Sequence, residues 1–203
     1  MRIIETRQAP NPRRVRIFLA EKGITVGYEE LDLMKGALQT PEFVQLNKFR
    51  RVPVLILDDG TAIAETMAIC RYFEETQPEP ALLGTGARGR AIVEMWNRRM
   101  EIGLFFHVSQ SFRHLHPAMA HLEVPQVKDW GEANKAKALE VLGILDEQLA
   151  SNAFVAGDAF SVADITALVA IDFMRPARLQ RPEDMKNVAR WYGEVSNRPS
   201  AKA

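Results

Sequence analysis

Cysteine is nearly absent: Cys70 is the only one in 203 residues. An internal disulfide framework is thereby excluded, and a reducing compartment is the expectation. Neither sign of charge is in excess, since 26 lysines and arginines stand against 26 aspartates and glutamates. No net field draws such a chain to nucleic acid or anionic lipid. The pairs Arg13-Arg14 and Arg98-Arg99 are too short to make a binding stripe. Long apolar runs are missing as well. No stretch approaches the roughly 18 residues that a membrane span needs, and Met1-Arg2-Ile3-Ile4-Glu5 lacks the apolar region of a secretory signal. A cytoplasmic protein with no membrane or nucleic-acid partner is expected. Histidine is scarce, and around His114, His116 and His121 no carboxylate or cysteine completes a ligand set at a known spacing. No metal is expected.

What remains is ample material for a core: 47% of the residues are apolar, enough for one large domain or two small ones. Residues 2–75 read β-α-β-α-β-β-α. A strand over residues 2–6 leads to a helix that starts near Pro12, where the missing N–H costs nothing, and stops at Lys22-Gly23. Residues 26–31 read as a strand and residues 41–46 as a short helix. Arg51-Val52-Pro53-Val54-Leu55-Ile56-Leu57, then Asp58-Asp59-Gly60, then Thr61-Ala62-Ile63-Ala64 read as a β-hairpin. Pro53 cannot donate to a sheet ladder, so it belongs at the start of its strand or at an edge. Glu65-Thr66 then opens a helix through Met67, Ile69, Cys70, Tyr72 and Phe73, with Thr66 as the expected N-cap. A strand with free backbone groups beside a proline thus faces a helix start able to grip a carboxylate, the layout of a small-peptide site.

The proline- and glycine-rich segment from Thr76 to Gly86 marks a linker, which puts the domains at 1–78 and 88–203. Beyond it the pattern is helical throughout, with Ile92, Trp96 and Met100 on one face and Ala138, Leu142, Leu145 and Leu149 on another. Ser161-x-x-Asp164 is a capping box ahead of an apolar helix expected to be the buried axis of this half. By itself that box is a folding signal. Cys70, inside a helix between Ile69 and Arg71, reads as a core residue.

These segments, in this order, resemble the cytosolic glutathione S-transferase family. Asn11-Pro12-Arg13-Arg14-Val15 through Gly23 is similar to its first helix, Thr40-Pro41-Glu42-Phe43 to the approach to its proline strand, and Gly157-Asp158-Ala159-Phe160-Ser161-Val162-Ala163-Asp164-Ile165 to its second-domain signature. The resemblance implies a thioredoxin-like α/β N-terminal domain that binds glutathione, followed by an all-α C-terminal domain. It implies a cis peptide at Val52-Pro53, backbone pairing of Val52 with the cysteinyl part of glutathione, and a grip on the γ-glutamyl end by Glu65 and Thr66, against simple capping. Arg51 would pair with the glycyl carboxylate, against a solvated surface role. Phe105, Phe106, His107 and Phe112 would line an electrophile pocket. A homodimer is implied, with the helix through Trp96 to Phe106 near its two-fold axis.

Two positions depart from the family pattern. Glutathione chemistry needs a thiolate, although a thiol ordinarily titrates near about 8.5. Many members supply a hydroxyl or thiol just before the first helix; that position is Ala9 here, with no donor on its side chain. Asn11, two residues on, is the candidate catalytic donor, as in some bacterial members, or else only a helix cap. Thr6 and the backbone N–H groups of the helix start are the alternatives. Position 38, often a polar glutathione contact, is Leu38. The expected function is conjugation of glutathione, as co-substrate, to small hydrophobic electrophiles. Glutathione-dependent disulfide or peroxide reduction, and a non-catalytic glutathione-binding interaction protein, stay open.

Overall fold

Backbone is described for residues 1–203 in a computed structural model, and side chains for all but Met34. Contacts divide the chain into two units, Met1–Ala81 with Lys202–Ala203, and Leu82–Ala201.

In the first unit β1 (Arg2–Glu5), α1 (Pro10–Glu21), β2 (Gly27–Glu30), α2 (Pro41–Leu46), β3 (Val54–Ile56), β4 (Ala62–Ala64) and α3 (Thr66–Thr76) follow the predicted order. The sheet runs β2-β1-β3-β4, with β1 parallel to β2 and both other pairs antiparallel. Alternation along these short strands divides the core in two. Ile4, Val54 and Ile56 meet Phe43 of α2, with Leu38, Leu46 and Val52 packed around them. The opposite set, Ile3 and Leu55, is fully buried. It turns to the side that must be covered by α1 and α3, which pack on each other and bury Ile17, Phe18, Leu19, Ile69 and Cys70. Each such aliphatic or aromatic side chain contributes roughly 1.5–3 kcal/mol. The hairpin turn closes as the sequence predicts. Gly60 takes φ 87°, and Asp59 accepts the Thr61 N–H at 2.8 Å, which holds the Asp59 carboxyl below its ordinary range.

Lys22 does more than end the first helix. It is the C-cap of α1, but its ammonium has no exposure and pairs with Glu74 at 2.7 Å. It also donates to the carbonyls of Gln77, Pro78 and Pro80. A buried charge is tolerable only when so completely partnered; here it ties the ends of α1 and α3 to the segment leaving α3.

The second unit is helical: α4 (Gly86–Arg98), a π-helical stretch (Arg99–Phe105), α5 (Phe106–Leu115), α6 (Lys128–Ala150), α7 (Val162–Met174) and α8 (Lys186–Ser196). α7 is its buried axis, with every residue from Val162 to Ala170 inside. Trp96, Met100 and Leu104, and on α6 Ala138, Leu142, Leu145 and Leu149, complete this core. The capping box at Ser161 forms with both of its bonds. Asp164 is fully buried and accepts from the N–H groups of Val155 and Ser161, the Ser161 hydroxyl and Trp191 Nε1. Burial pushes this carboxyl up to about 6, against the pull of those donors. The box thus locks three segments of the unit together as well as starting a helix.

Candidate functional site

Register brings the candidate residues of the first unit to one end of its sheet. Val54 pairs with Ala64 and also with Ile4, so Pro53, Glu65 and Glu5 lie side by side one step beyond. The peptide Val52-Pro53 is cis, and Pro53 stands just before β3, where its missing N–H interrupts no ladder. The chain leaves this end of β1 into the start of α1, and leaves β4 into the start of α3. Two positive helix termini therefore flank the Val52-Pro53 segment, which enters β3 from outside the sheet ladders.

Both helix starts differ in detail from expectation. α1 begins at Pro10, with Ala9 as N-cap and no side-chain cap. Asn11 is thus its second residue instead of its cap. The reason is that Pro10 and Pro12 both suit a first turn, and a backbone bond from Arg13 N–H to the Ala9 carbonyl at 3.3 Å settles the earlier start. The consequence is chemical. Pro10 and Pro12 have no N–H, and the Ala9 N–H is taken by the Thr6 carbonyl at 2.9 Å. Asn11 alone among the first three helical residues carries a backbone N–H, and its half-buried amide adds a side-chain donor. Thr6 donates its hydroxyl to the Leu31 carbonyl at 2.9 Å, so its proton is already committed.

At α3 the N-cap is Glu65, and Thr66 is the first helical residue. Thr66 misses the cap because Glu65 has φ 71° and ψ 122°, a turn that non-glycine residues adopt only under strain of about 1–3 kcal/mol. The Glu65 side chain makes no capping bond and stays exposed, while Thr66 is buried beside it. Val52 is half-buried and Arg51 exposed, the latter reaching only the carbonyl of Arg50, at 3.4 Å. Leu38 packs into the apolar cluster under the sheet.

Sequence reasoning missed the roles of three residues that hold this end in shape. Buried Asn47 donates to the Arg51 carbonyl at 2.9 Å and accepts the Phe49 N–H at 3.0 Å, bracing the loop that delivers Val52. Arg50, inside that loop, takes φ 54°. Buried Glu5 and Arg16 form a bidentate pair at 2.8 Å, and Arg16 also donates to the Arg7 carbonyl at 2.7 Å, which anchors the turn ahead of α1. An Asn two residues before an aromatic, and an Arg on the predicted inner face of a helix, were the available signals.

The four pocket candidates of the second unit point three ways. Phe105 and Phe112, seven apart, share a face and meet Phe173 of α7 at 6.2 and 5.0 Å between ring centres. Phe106 is exposed. His107 turns to α6, where Nδ1 lies 2.6 Å from Asn134 Oδ1. Because Asn134 Nδ2 donates to the Trp130 carbonyl, its oxygen accepts, and His107 carries its proton on Nδ1. Cys70 is buried, and among the described residues no group of three His, Cys, Asp or Glu is placed to hold a metal. None of the described helices is long and apolar enough to cross a membrane.

Comparison with known proteins adds the following. Residues 9–76 match the glutathione S-transferase N-terminal domain, and residues 95–199 match the glutathione S-transferase C-terminal domain. Over 205 aligned residues the chain is 39% identical to Glutathione S-transferase 2 of Saccharomyces cerevisiae, covering 100% of this chain and 88% of that one. The crystal structure of Gtt2 from the same yeast superposes with a TM-score of 0.95 at 39% identity, over 100% of this chain and 99% of the other. A glutathione S-transferase domain-containing protein of Marinobacter aquaeolei VT8 also gives 0.95, at 41% identity, over 98% and 99% of the two chains. With both halves matched and a relative of this identity spanning the whole chain, the protein belongs to the glutathione S-transferase family.

Proposed function

We propose that this glutathione transferase conjugates its co-substrate to small hydrophobic electrophiles, and that the thiolate is held by Asn11. The observation that carries the reading is the single sheet end that unites the Ala9–Asn11 turn, Val52-Pro53 and Glu65-Thr66. Glutathione has one feature for each. The exposed Glu65 carboxylate suits the γ-glutamyl ammonium, while the Thr66 hydroxyl and the start of α3 suit the γ-glutamyl carboxylate. The unpaired backbone of Val52 suits the cysteinyl amide, and Arg51 suits the glycyl carboxylate. The sulfur then falls to the start of α1, where Asn11 supplies both a backbone and a side-chain donor. Thiolate stabilisation together with orientation supplies the rate.

Disulfide reduction through an enzyme thiol has less support, since the only cysteine is 1% exposed. The test is a glutathione activity panel with an aryl halide, a hydroperoxide and a mixed disulfide. Turnover of the aryl halide is expected to dominate; turnover of only the disulfide or hydroperoxide overturns conjugation, and glutathione binding with no turnover leaves the non-catalytic reading. A cytoplasmic homodimer is part of the proposal. Phe49, 80% exposed on its braced loop, and Ile102, 52% exposed, offer apolar surface for a second copy to cover.

A further inference from the structure

We propose, taking that sheet end as the glutathione site, that Arg16 is a positioning residue for the thiolate: it cancels the buried charge of Glu5 beneath the site and fixes the turn from which α1 starts. Glu5 ends β1, and since Ile4 pairs with Val54 it lies opposite the cis Pro53. Alternation puts its side chain on the face of Ile3, the side covered by α1 and α3. Arg16 comes from α1, five residues beyond Asn11 and a rise of about 7.5 Å along the helix. Its Nη1 donates to both carboxylate oxygens of Glu5 at 2.8 Å, and its Nη2 to the Arg7 carbonyl at 2.7 Å. The second turn of the helix thus holds the chain that enters its first. On either side of Arg7 the same turn is closed by the Ala9 N–H on the Thr6 carbonyl and by the Thr6 hydroxyl on the Leu31 carbonyl.

Stability does not account for this pair. A buried ion pair seldom recovers the hydration its two charges lose, and apolar residues of like volume often serve as well. Here Glu5 and Arg16 are both buried, and Arg16 Nε is enclosed with no hydrogen-bond partner, a further cost. What the pair supplies is charge balance. A lone carboxylate at this sheet end would oppose a thiolate bound beside Pro53, with little water to screen it. The charges of the pair do act on a neighbour: the Tyr28 phenol on β2 is pushed up by burial and then by Glu5, and drawn back by Arg16 and Arg7. The other charges of this region are Arg7, Arg13 and Arg14 of α1, Glu30 opposite Glu5 on β2, Arg51 and Glu65. All stay the same when only the pair is changed.

The test is the titration of the thiol of bound glutathione, followed by thiolate absorbance, in the parent, Glu5→Gln, Arg16→Gln and the double variant. A role in structure alone moves both single variants the same way, toward a looser site and a higher titration. A role in charge moves them apart. Arg16→Gln should raise the titration by about one pH unit and Glu5→Gln should lower it by about as much. That is the effect of a unit charge roughly 10 Å away at an effective dielectric constant of about 20. The double variant should return toward the parent. Gln at position 5 keeps an oxygen for Arg16, so Glu5→Gln decides the matter by itself if Arg16→Gln does not fold. Shifts of the same sign, or an unmoved titration in Glu5→Gln, overturn the proposal and leave the glutathione reading standing. Glutathione that fails to bind, or that titrates in the parent no lower than when free, overturns both.

Discussion

Asn11 stands between two prolines that lack N–H groups, so whatever the start of α1 donates to an anion passes through this residue. Asn11→Ala keeps the backbone N–H and the helix dipole but removes the side-chain donor. The bound glutathione thiol is expected to titrate at higher pH, with a loss of about tenfold or more in rate; thiolate absorbance followed through a pH titration of the complex measures the first effect. An unchanged titration would remove Asn11 from the chemistry. Glu65 belongs to the same scale. Its carboxylate makes no capping bond, so Glu65→Ala should leave the helix intact while costing about 1–3 kcal/mol in glutathione affinity. Calorimetry alongside a melting curve separates the two, and equal affinity in the variant would return Glu65 to a purely local role. At this scale the sequence was legible where one residue type has few uses, as with Pro53 before a strand or Gly60 in a turn. It was illegible where two residues serve equally, and Pro10 and Pro12 are the case in point: either could open the helix, and a single backbone hydrogen bond decided. The strained backbone at Glu65 lay beyond sequence reasoning because no side-chain rule predicts a positive φ at glutamate.

Among the elements, the rod from α4 to α5 explains why its aromatic residues could not be assigned by spacing. Phe105, Phe106 and His107 are consecutive and so stand about 100° apart on any helix, but a π-helical turn over Arg99–Phe105 shifts the phase, and a strict period carried forward from Trp96 does not say which of the three faces inward. Farther along, Gly131 of α6 is buried where α5 ends. A Cβ there would sit 2.6 Å from Leu115 Cγ and 3.2 Å from His114 Cβ, and neither atom is the free end of a chain. Gly131→Ala should therefore destabilise the protein by about 1–3 kcal/mol through overpacking, seen as a lower midpoint in denaturant unfolding; a stabilised variant would show that the crossing of the two helices is loose. The start of α7 gives a prediction in pH. Asp164 titrates at about 6 in the fold against an ordinary 3.8. The folded chain therefore holds this proton more tightly than the unfolded one. Its contribution to stability is complete below the ordinary value and is lost as pH rises through about 6, at up to about 1.4 kcal/mol per pH unit between them. Subtracting the unfolding free energies of Asp164→Asn from those of the parent across pH 4 to 7 should reveal that slope; a flat difference would mean the four donated hydrogen bonds outweigh burial.

For the molecule as a whole, the ordered set of motifs carried the fold further than any one of them. The β-α-β-α-β-β-α order and the apolar axis at Val162–Met174 followed from periodicity, turn residues and a capping box. The polar braces, Asn47 under its loop and Glu5 with Arg16, did not, because they are made by side chains of types common on any surface, and nothing local says which of these turn inward. Assembly is the property of this scale still to be measured. A homodimer near twice the 22.9 kDa chain mass is expected by light scattering at micromolar concentration, and Phe49→Ser should shift it toward monomer by exposing no less surface but offering less to bury. A parent that scatters as a monomer contradicts the dimer outright.

The caged ammonium of Lys22 makes a clock for the first unit. Acylating reagents modify free amines, and this one is wholly enclosed by Glu74 and three backbone carbonyls. It should stay unmodified in the folded chain long after exposed lysines such as Lys35 have reacted. Its rate of labelling, read by mass spectrometry, then counts how often the segment from Gln77 to Pro80 lets go of α1.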